Sequence, residues 1–316
     1  MKNINTFRKG GSNKFMSSFF SEKILKQIKS NESDTVEINN FLSKQECDYF
    51  LDYFTNLKNK SIGKSQFIER EESSKIFFKL DQSKELKELK EKIENQLGEF
   101  YVNDFQPHLI TSRYPLRLHV DTGKNPNDLI FKNVIIPINI EYDLTADTYS
   151  APNTIIFKNR WYNRSALFTK FTDNDKDFII KDKNGKFVDI INIDNFYQNI
   201  KNVKIDNINY EGFDFKINDR FKDYIKRLTE VKRYNLRTDK HIINNIEFDK
   251  ELYNKYLTHQ PYEDCKSLEI DKIVETKIGS LIYWDRVRIH SSDNFMKNNV
   301  KSKTLLAFFT SKTKID

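Results

Sequence analysis

The chain has 316 residues, 38% of them hydrophobic and 14% aromatic, including 26 Phe and 15 Tyr; this supplies a sizeable core and excludes a disordered chain or a scaffold dependent on disulfides. The net charge of +7 is a small difference between 53 basic and 46 acidic residues, and because these are mixed along the chain, a nucleic-acid partner is allowed but not indicated. Cys47 and Cys265 lack paired spacing, no apolar run reaches the ~18 residues of a membrane span, and the N-terminus lacks a secretory core, so the expectation is a soluble, cytoplasmic protein whose oligomeric state is not legible.

Residues 1–34 form a loose, partly helical arm ending in the polar "KSNESD". The segment "VEINNFLSKQECDYFLDYF" predicts a strand and then a helix, with Ser43 as N-cap, Glu46 closing a capping box, and Phe50, Leu51, Phe54 and Leu57 on the buried face. A second helix, "SKELKELKEKIENQLG", aligns Leu86, Leu89, Ile93 and Leu97 and stops at Gly98. From Pro107 the texture becomes extended: "LITSRY", "LRLHVD", "NVIIPINIEYD", "NTIIFKN", "KIGSLIYWD" and "KTLLAFFT" are short, β-branched or aromatic, and bounded by turn residues. Such strands with long excursions predict a barrel or jelly roll with flanking helices, α+β and mainly β. Residues 35–316 then form a single domain with an insertion at about 163–262, which carries an Asn184-Gly185 hairpin signal and a helical "NDRFKDYIKRLTEVKRY". Within it, "DNDKDF" has the acidic spacing of a calcium loop, but Phe178 stands where that loop needs Gly and Asn184 where it needs Glu, so calcium is rejected.

The chemistry concentrates in "SRYPLRLHVDTG". Alternate residues of a strand share a face, so Arg117, His119 and Asp121 point the same way. An imidazole and a carboxylate so placed reach one divalent ion, and one more histidine completes a triad that leaves positions open for cosubstrate and oxygen, as non-haem Fe(II) requires. Of the chain's 5 histidines, His108 begins a strand, while His241 and His259 fall in the insertion. His290, ending "GSLIYWDRVRIHSS", is best placed to project from a barrel rim.

These residues, in this order, resemble the Fe(II)- and 2-oxoglutarate-dependent oxygenases. The matching elements are "HVD" (His119, Asp121), "IHSS" (His290) and the basic "KSK" (Lys301, Lys303) beyond it, with "NNFLSKQECDYF" similar to the strand and helix that precede the family's core. The resemblance implies a double-stranded β-helix, cupin-like, with His119, Asp121 and His290 as iron ligands and catalytic centre. It also implies a lysine holding 2-oxoglutarate, with Lys303 preferred over Lys301, although both lie on one strand face. The implied activity uses Fe(II), 2-oxoglutarate and O2 to hydroxylate a C–H bond, releasing succinate and CO2; desaturation and ring closure are variants. Two departures stand out: a lysine replaces the commoner arginine, with no Ser or Thr two residues later, and the separation of Asp121 from His290 is long, which the insertion explains. Asp121 itself argues against the halogenating branch.

Around this centre Arg117 is a candidate for binding a carboxylate of cosubstrate or substrate, with a surface ion pair as the equal alternative, and Arg288 follows the same logic. Trp284 is a candidate pocket wall or a core tryptophan, and His259 a candidate substrate contact or part of a capped turn. Asn133, Asn139 and Tyr142 remain open as cosubstrate contacts. The expected substrate is a small, anionic metabolite; a nucleic acid or protein substrate is the alternative, and a non-catalytic jelly-roll binding protein the further one. A zinc hydrolase with the same ligands lacks an obvious general base.

Overall fold

The computed structural model describes residues 20–61, 67–102, 107–123, 125, 127–162, 166–167 and 246–313. In chain order these give α1 (Glu22–Ser30), β1 (Val36–Ile38), α2 (Lys44–Ser61), β2 (Phe67–Glu69), β3 (Ser73–Phe77), α3 (Lys84–Leu97), β4 (Tyr101–Val102), β5 (His108–Ser112), β6 (His119–Val120), β7 (Ile130–Tyr142), β8 (Asn153–Arg160), β9 (Ala166–Leu167), β10 (Ile270–Glu275), β11 (Leu281–Asp285), β12 (Arg288–Ser292) and β13 (Val300–Ser311). The strands form a larger sheet in the order β1-β11-β7-β13-β5-β3-β2, with β4 on β13, and a smaller sheet in the order β10-β8-β12-β6-β9. Along the chain, β5, β7, β11 and β13 enter the larger sheet, and β6, β8, β10 and β12 the smaller one. Both sheets are antiparallel, and the alternation winds eight strands into a jelly roll. The core fold is a double-stranded β-helix.

Three layers of burial hold it. Between the sheets lie Ile110, Ile135, Ile156, Val274, Ile282, Trp284, Leu305 and Ala307, contributed by both. Behind the larger sheet, Phe50, Phe54, Leu86, Leu89 and Ile93 of α2 and α3 pack on Val134, Ile136, Ile138, Leu306 and Phe308. Leu305 and Ala307 thus face inward while Leu306 and Phe308 face the helices, the alternation that a pleated strand imposes. Behind the smaller sheet, Phe248, Leu257, Cys265 and Leu268, from the short helical turns that follow residue 245, cover Leu118, Val120, Ile155, Phe157 and Ile289. The expected capping box is formed: the Glu46 amide donates to Ser43 Oγ at 3.2 Å and the Ser43 amide to Glu46 Oε2 at 2.8 Å. Gly279, at φ +78°, lets the turn before β11 approach Leu42 so closely that an added Cβ would sit 2.4 Å from the Leu42 carbonyl oxygen.

The structure differs from the sequence expectations in several places. "GSLIYWDRVRIHSS" is not one strand but two, β11 and β12, in opposite sheets with a corner at Arg286 and Val287. "LRLHVD" contributes only two residues of ladder, and β2, β3, β4, β9 and β10 were not anticipated. Within the N-terminal arm, α1 packs Ile28 against Leu129, Ile130 and Val287. Asn184-Gly185, the helical signal near residue 220, the rejected calcium loop and His241 lie outside the described residues. Among the described residues, no helix is long and apolar enough to cross a membrane.

Candidate metal centre

β6 and β12 are neighbours in the smaller sheet, and their register sets His119 directly opposite His290. That pairing places the two ring centroids 4.1 Å apart. Asp121, beyond the end of β6, turns in beside them: its Oδ2 is 3.1 Å from His290 Nε2 and 3.7 Å from His119 Nε2. One ligand atom from each residue lies within 4.8 Å of the others. Two donors from facing strands and one from the turn after β6 lie close together.

The backbone fixes how these donors present themselves. His119 Nδ1 lies 2.6 Å from the Arg117 carbonyl oxygen, and His290 Nδ1 3.0 Å from that of Arg288. A carbonyl only accepts, so each Nδ1 carries a hydrogen and each Nε2 is the ring nitrogen turned toward the cluster. Burial, reinforced by the neighbouring His290, pushes the His119 imidazole down to about 4, so it is neutral near pH 7. For Asp121 burial pushes upward, but His119, His290 and Lys75 outweigh it and hold the carboxyl well below the usual range. Asn133 Nδ2 donates to Asp121 Oδ2 at 3.1 Å, orienting the carboxylate, and Trp284 meets His290 edge-on, 4.9 Å between centroids. Two imidazoles and an ionised carboxylate, each held by a second group, form the donor set a divalent transition metal takes.

The barrel interior beside this cluster carries polar groups without partners among the described residues. Lys303 sits inward on β13, opposite Ser112 of β5, and is buried. Burial pushes its ammonium down to about 8, with Asp293 acting in the opposite direction. It makes no hydrogen bond to a described residue and lies 5.2 Å from the Phe295 ring centroid. Ser112 Oγ, Asn133 Oδ1 and Trp284 Nε1 are buried with no hydrogen-bond partner. Lys75 of β3, in register with inward-facing Ile110, is part-buried on the same side; burial lowers its pKa and the charge of Asp121 acts in the opposite direction. Natural interiors satisfy nearly all buried polar atoms, with water, an ion or a ligand where protein partners are lacking, so such a cluster is an exception that calls for one of these.

The other sequence candidates fall elsewhere. Lys301 does not share a face with Lys303, because a register shift between Val300 and Ser302 turns it outward, where it pairs with Asp143 at 3.5 Å. Arg288 is diverted by a second shift, between Arg288 and His290: its guanidinium pairs with Asp271 and with Asp285 at 3.6 Å, and only its carbonyl serves the centre. Arg117 is half-buried and likewise contributes its carbonyl. His259 reaches the rim, with Nε2 3.3 Å from the Leu116 carbonyl and 3.4 Å from Ser291 Oγ, and a buried Nδ1 without a partner. Burial, with the charges of Arg117 and Lys303, pushes it down to about 4. Of the open trio Asn133, Asn139 and Tyr142, Asn133 is the one that touches a triad member, while Tyr142 stacks near Tyr149. Sequence reasoning passed over Lys75, Ser112 and Arg286; strand alternation in "SSKIFF" was the available signal for the first.

No family model and no curated protein matches the chain. Solved structures of similar fold include a non-heme alpha-ketoglutarate-dependent carbocyclase from nogalamycin biosynthesis, 11% identical over 92% of this chain and 84% of that one, with a TM-score of 0.40. The viral collagen prolyl hydroxylase of Paramecium bursaria Chlorella virus-1 is 9% identical over 89% and 97%, with a TM-score of 0.36. HygX from Streptomyces hygroscopicus, solved with nickel and 2-oxoglutarate bound, is 6% identical over 92% and 87%, with a TM-score of 0.37.

Proposed function

We propose that the chain is an Fe(II)- and 2-oxoglutarate-dependent oxygenase that hydroxylates a C–H bond of a small anionic molecule, with release of succinate and CO2. The observation that carries the reading is the convergence of His119 Nε2, Asp121 Oδ2 and His290 Nε2 on one point, each backed by a group that fixes its orientation. Bound there, iron supplies the activation of O2 that couples decarboxylation of the oxoacid to oxidation of the substrate. The chain's own residues supply the rest. His119, Asp121 and His290 would hold the metal, and Trp284 walls the site beside His290. Lys303, with Ser112 across the strand, offers a cation and a hydroxyl to the far carboxylate of the oxoacid, and its burial excludes competing water.

Lys75 supports the anionic substrate. A single oxoacid occupies Lys303, which leaves Lys75 as a second inward cation with no hydrogen bond to a described residue. An acceptor bearing a carboxylate or phosphate satisfies it.

The deciding experiment is an anaerobic titration with Fe(II) and 2-oxoglutarate, following the visible charge-transfer band of the ternary centre, with His290→Ala as control. A band in the wild type that disappears in the variant supports the reading. A folded wild type without a band refutes it and leaves a non-catalytic jelly-roll binding protein in its place. Succinate release then screens acceptors, and product mass separates hydroxylation from desaturation or ring closure.

A further inference from the structure

Among the described residues between β6 and β7, Asp121 and those that follow it belong to no sheet ladder, although Asp121 is the triad's carboxylate. Arg286, at the corner between β11 and β12, is wholly buried, and its guanidinium spans this segment. Nε donates to the Asp121 carbonyl oxygen at 2.8 Å. Nη1 lies 3.3 Å from Asp128 Oδ2, 3.0 Å from the Thr310 carbonyl oxygen and 3.3 Å from Ser311 Oγ. Ser311 Oγ in turn donates to Asp128 Oδ1, so the far end of β13 braces the same arrangement. Gly123, at φ +77°, has space above it only because it lacks a side chain: an added Cβ would lie 3.2 Å from Arg286 Nη2. The arginine therefore holds both ends of the turn, its backbone at Asp121 and its side chain at Asp128, against the last strand.

Burying a guanidinium is costly, and an apolar residue of similar volume commonly stabilises a core as well or better. Among the described residues, one amino group of Arg286, Nη2, has no acceptor even here. One of its contacts ties the backbone of Asp121, the one triad member that lies outside a strand, to the same guanidinium that holds Asp128 and the end of β13. We infer that Arg286 is a positioning residue for the metal centre, holding the Asp121 peptide so that the carboxylate faces His119 and His290. The inference rests on the triad being a metal site, and it does not require Arg286 to touch metal or substrate.

The test uses the full chain and Co(II) alone as probe, reading affinity by calorimetry and ligand geometry by the d–d absorption. Arg286→Gln, folded by circular dichroism at the working temperature, is expected to bind Co(II) roughly ten- to a hundredfold more weakly, the usual effect of removing a group behind a ligand. Its d–d spectrum should also change, which a purely stabilising role would not cause. Arg286→Lys, able to reach the Asp121 carbonyl but not to fork to Asp128, should recover part of the affinity. A folded Arg286→Gln with wild-type affinity and spectrum overturns the inference. Should that variant not fold, Ser311→Ala, which removes the brace on Asp128 and on Arg286 Nη1 but leaves the arginine's own bonds to Asp121 and Asp128 in place, is read in its place: weaker Co(II) binding supports the inference and unchanged binding overturns it. Wild type that binds no Co(II), or binds it equally well after His290→Ala, overturns the metal reading itself and this inference with it.

Discussion

Lys303 offers the sharpest prediction. Replacing it with Met keeps the length of the side chain and removes the charge proposed to face the oxoacid carboxylate. A hydrogen bond to a charged group is worth ~1.5–3 kcal/mol, and stranding the partner in a buried site raises the loss to ~2–5 kcal/mol. At ~1.4 kcal/mol per decade, the dissociation constant for 2-oxoglutarate should rise roughly 30- to 3,000-fold. The ammonium adds a pH signature. Burial pushes its pKa from 10.5 down to about 8, and only the protonated form attracts a carboxylate. Affinity should therefore be level below about pH 8 and fall by up to tenfold per unit above it. Lys303→Arg should keep binding and lose that fall, since a guanidinium stays charged. Calorimetric titration of 2-oxoglutarate into the Ni(II)-loaded protein between about pH 6.5 and about pH 9.5 measures both effects. Unchanged affinity in Lys303→Met, or a wild-type constant that is flat across this range, refutes the assignment of Lys303.

Three further outcomes follow from the geometry. Asn133→Ala, which removes the donor to Asp121 Oδ2, should weaken Co(II) binding roughly ten- to a hundredfold while urea unfolding changes little by comparison; equal affinity would show that Asp121 orients itself. Lys75→Met should abolish the preference, seen as KM in succinate-release assays, for acceptors with a carboxylate or phosphate over their neutral esters, with Fe(II) affinity retained. Gly279→Ala forces a Cβ toward the Leu42 carbonyl at a positive φ and should lose well over ~1 kcal/mol in chemical denaturation, with metal affinity intact in the folded fraction.

The sequence made some levels of this structure legible and hid others. The helices α2 and α3 could be read because period, cap and stop signals coincide: Ser43 with Glu46, Leu86 with Leu89 and Ile93, then Gly98. His119 and Asp121 could be paired from strand alternation, and His290 from its place after an apolar strand. The corner at Arg286 was hidden because "LIYWDRVRIH" contains no Gly, Pro or Asn to mark a change of sheet. The faces of Lys301 and Arg288 were misjudged for one physical reason: a one-residue register shift reverses every side chain beyond it, and no residue type announces it. Lys75 was missed because β3 is short, and only its neighbour β5 shows that its polar face points inward.

The cross-strand pairing of His119 with His290 has a consequence for how the protein assembles. The two residues come from opposite ends of a long stretch of chain, and the contact exists only when β12 has inserted between β6 and β8. Pairings so distant in sequence form late, because loop closure must come before any contact repays it. On the proposed metal reading, metal uptake should therefore report the closure of the smaller sheet. An ion present during refolding finds no complete site until that step, so it should leave the folding rate nearly unchanged and slow unfolding instead, with a midpoint that climbs with metal concentration.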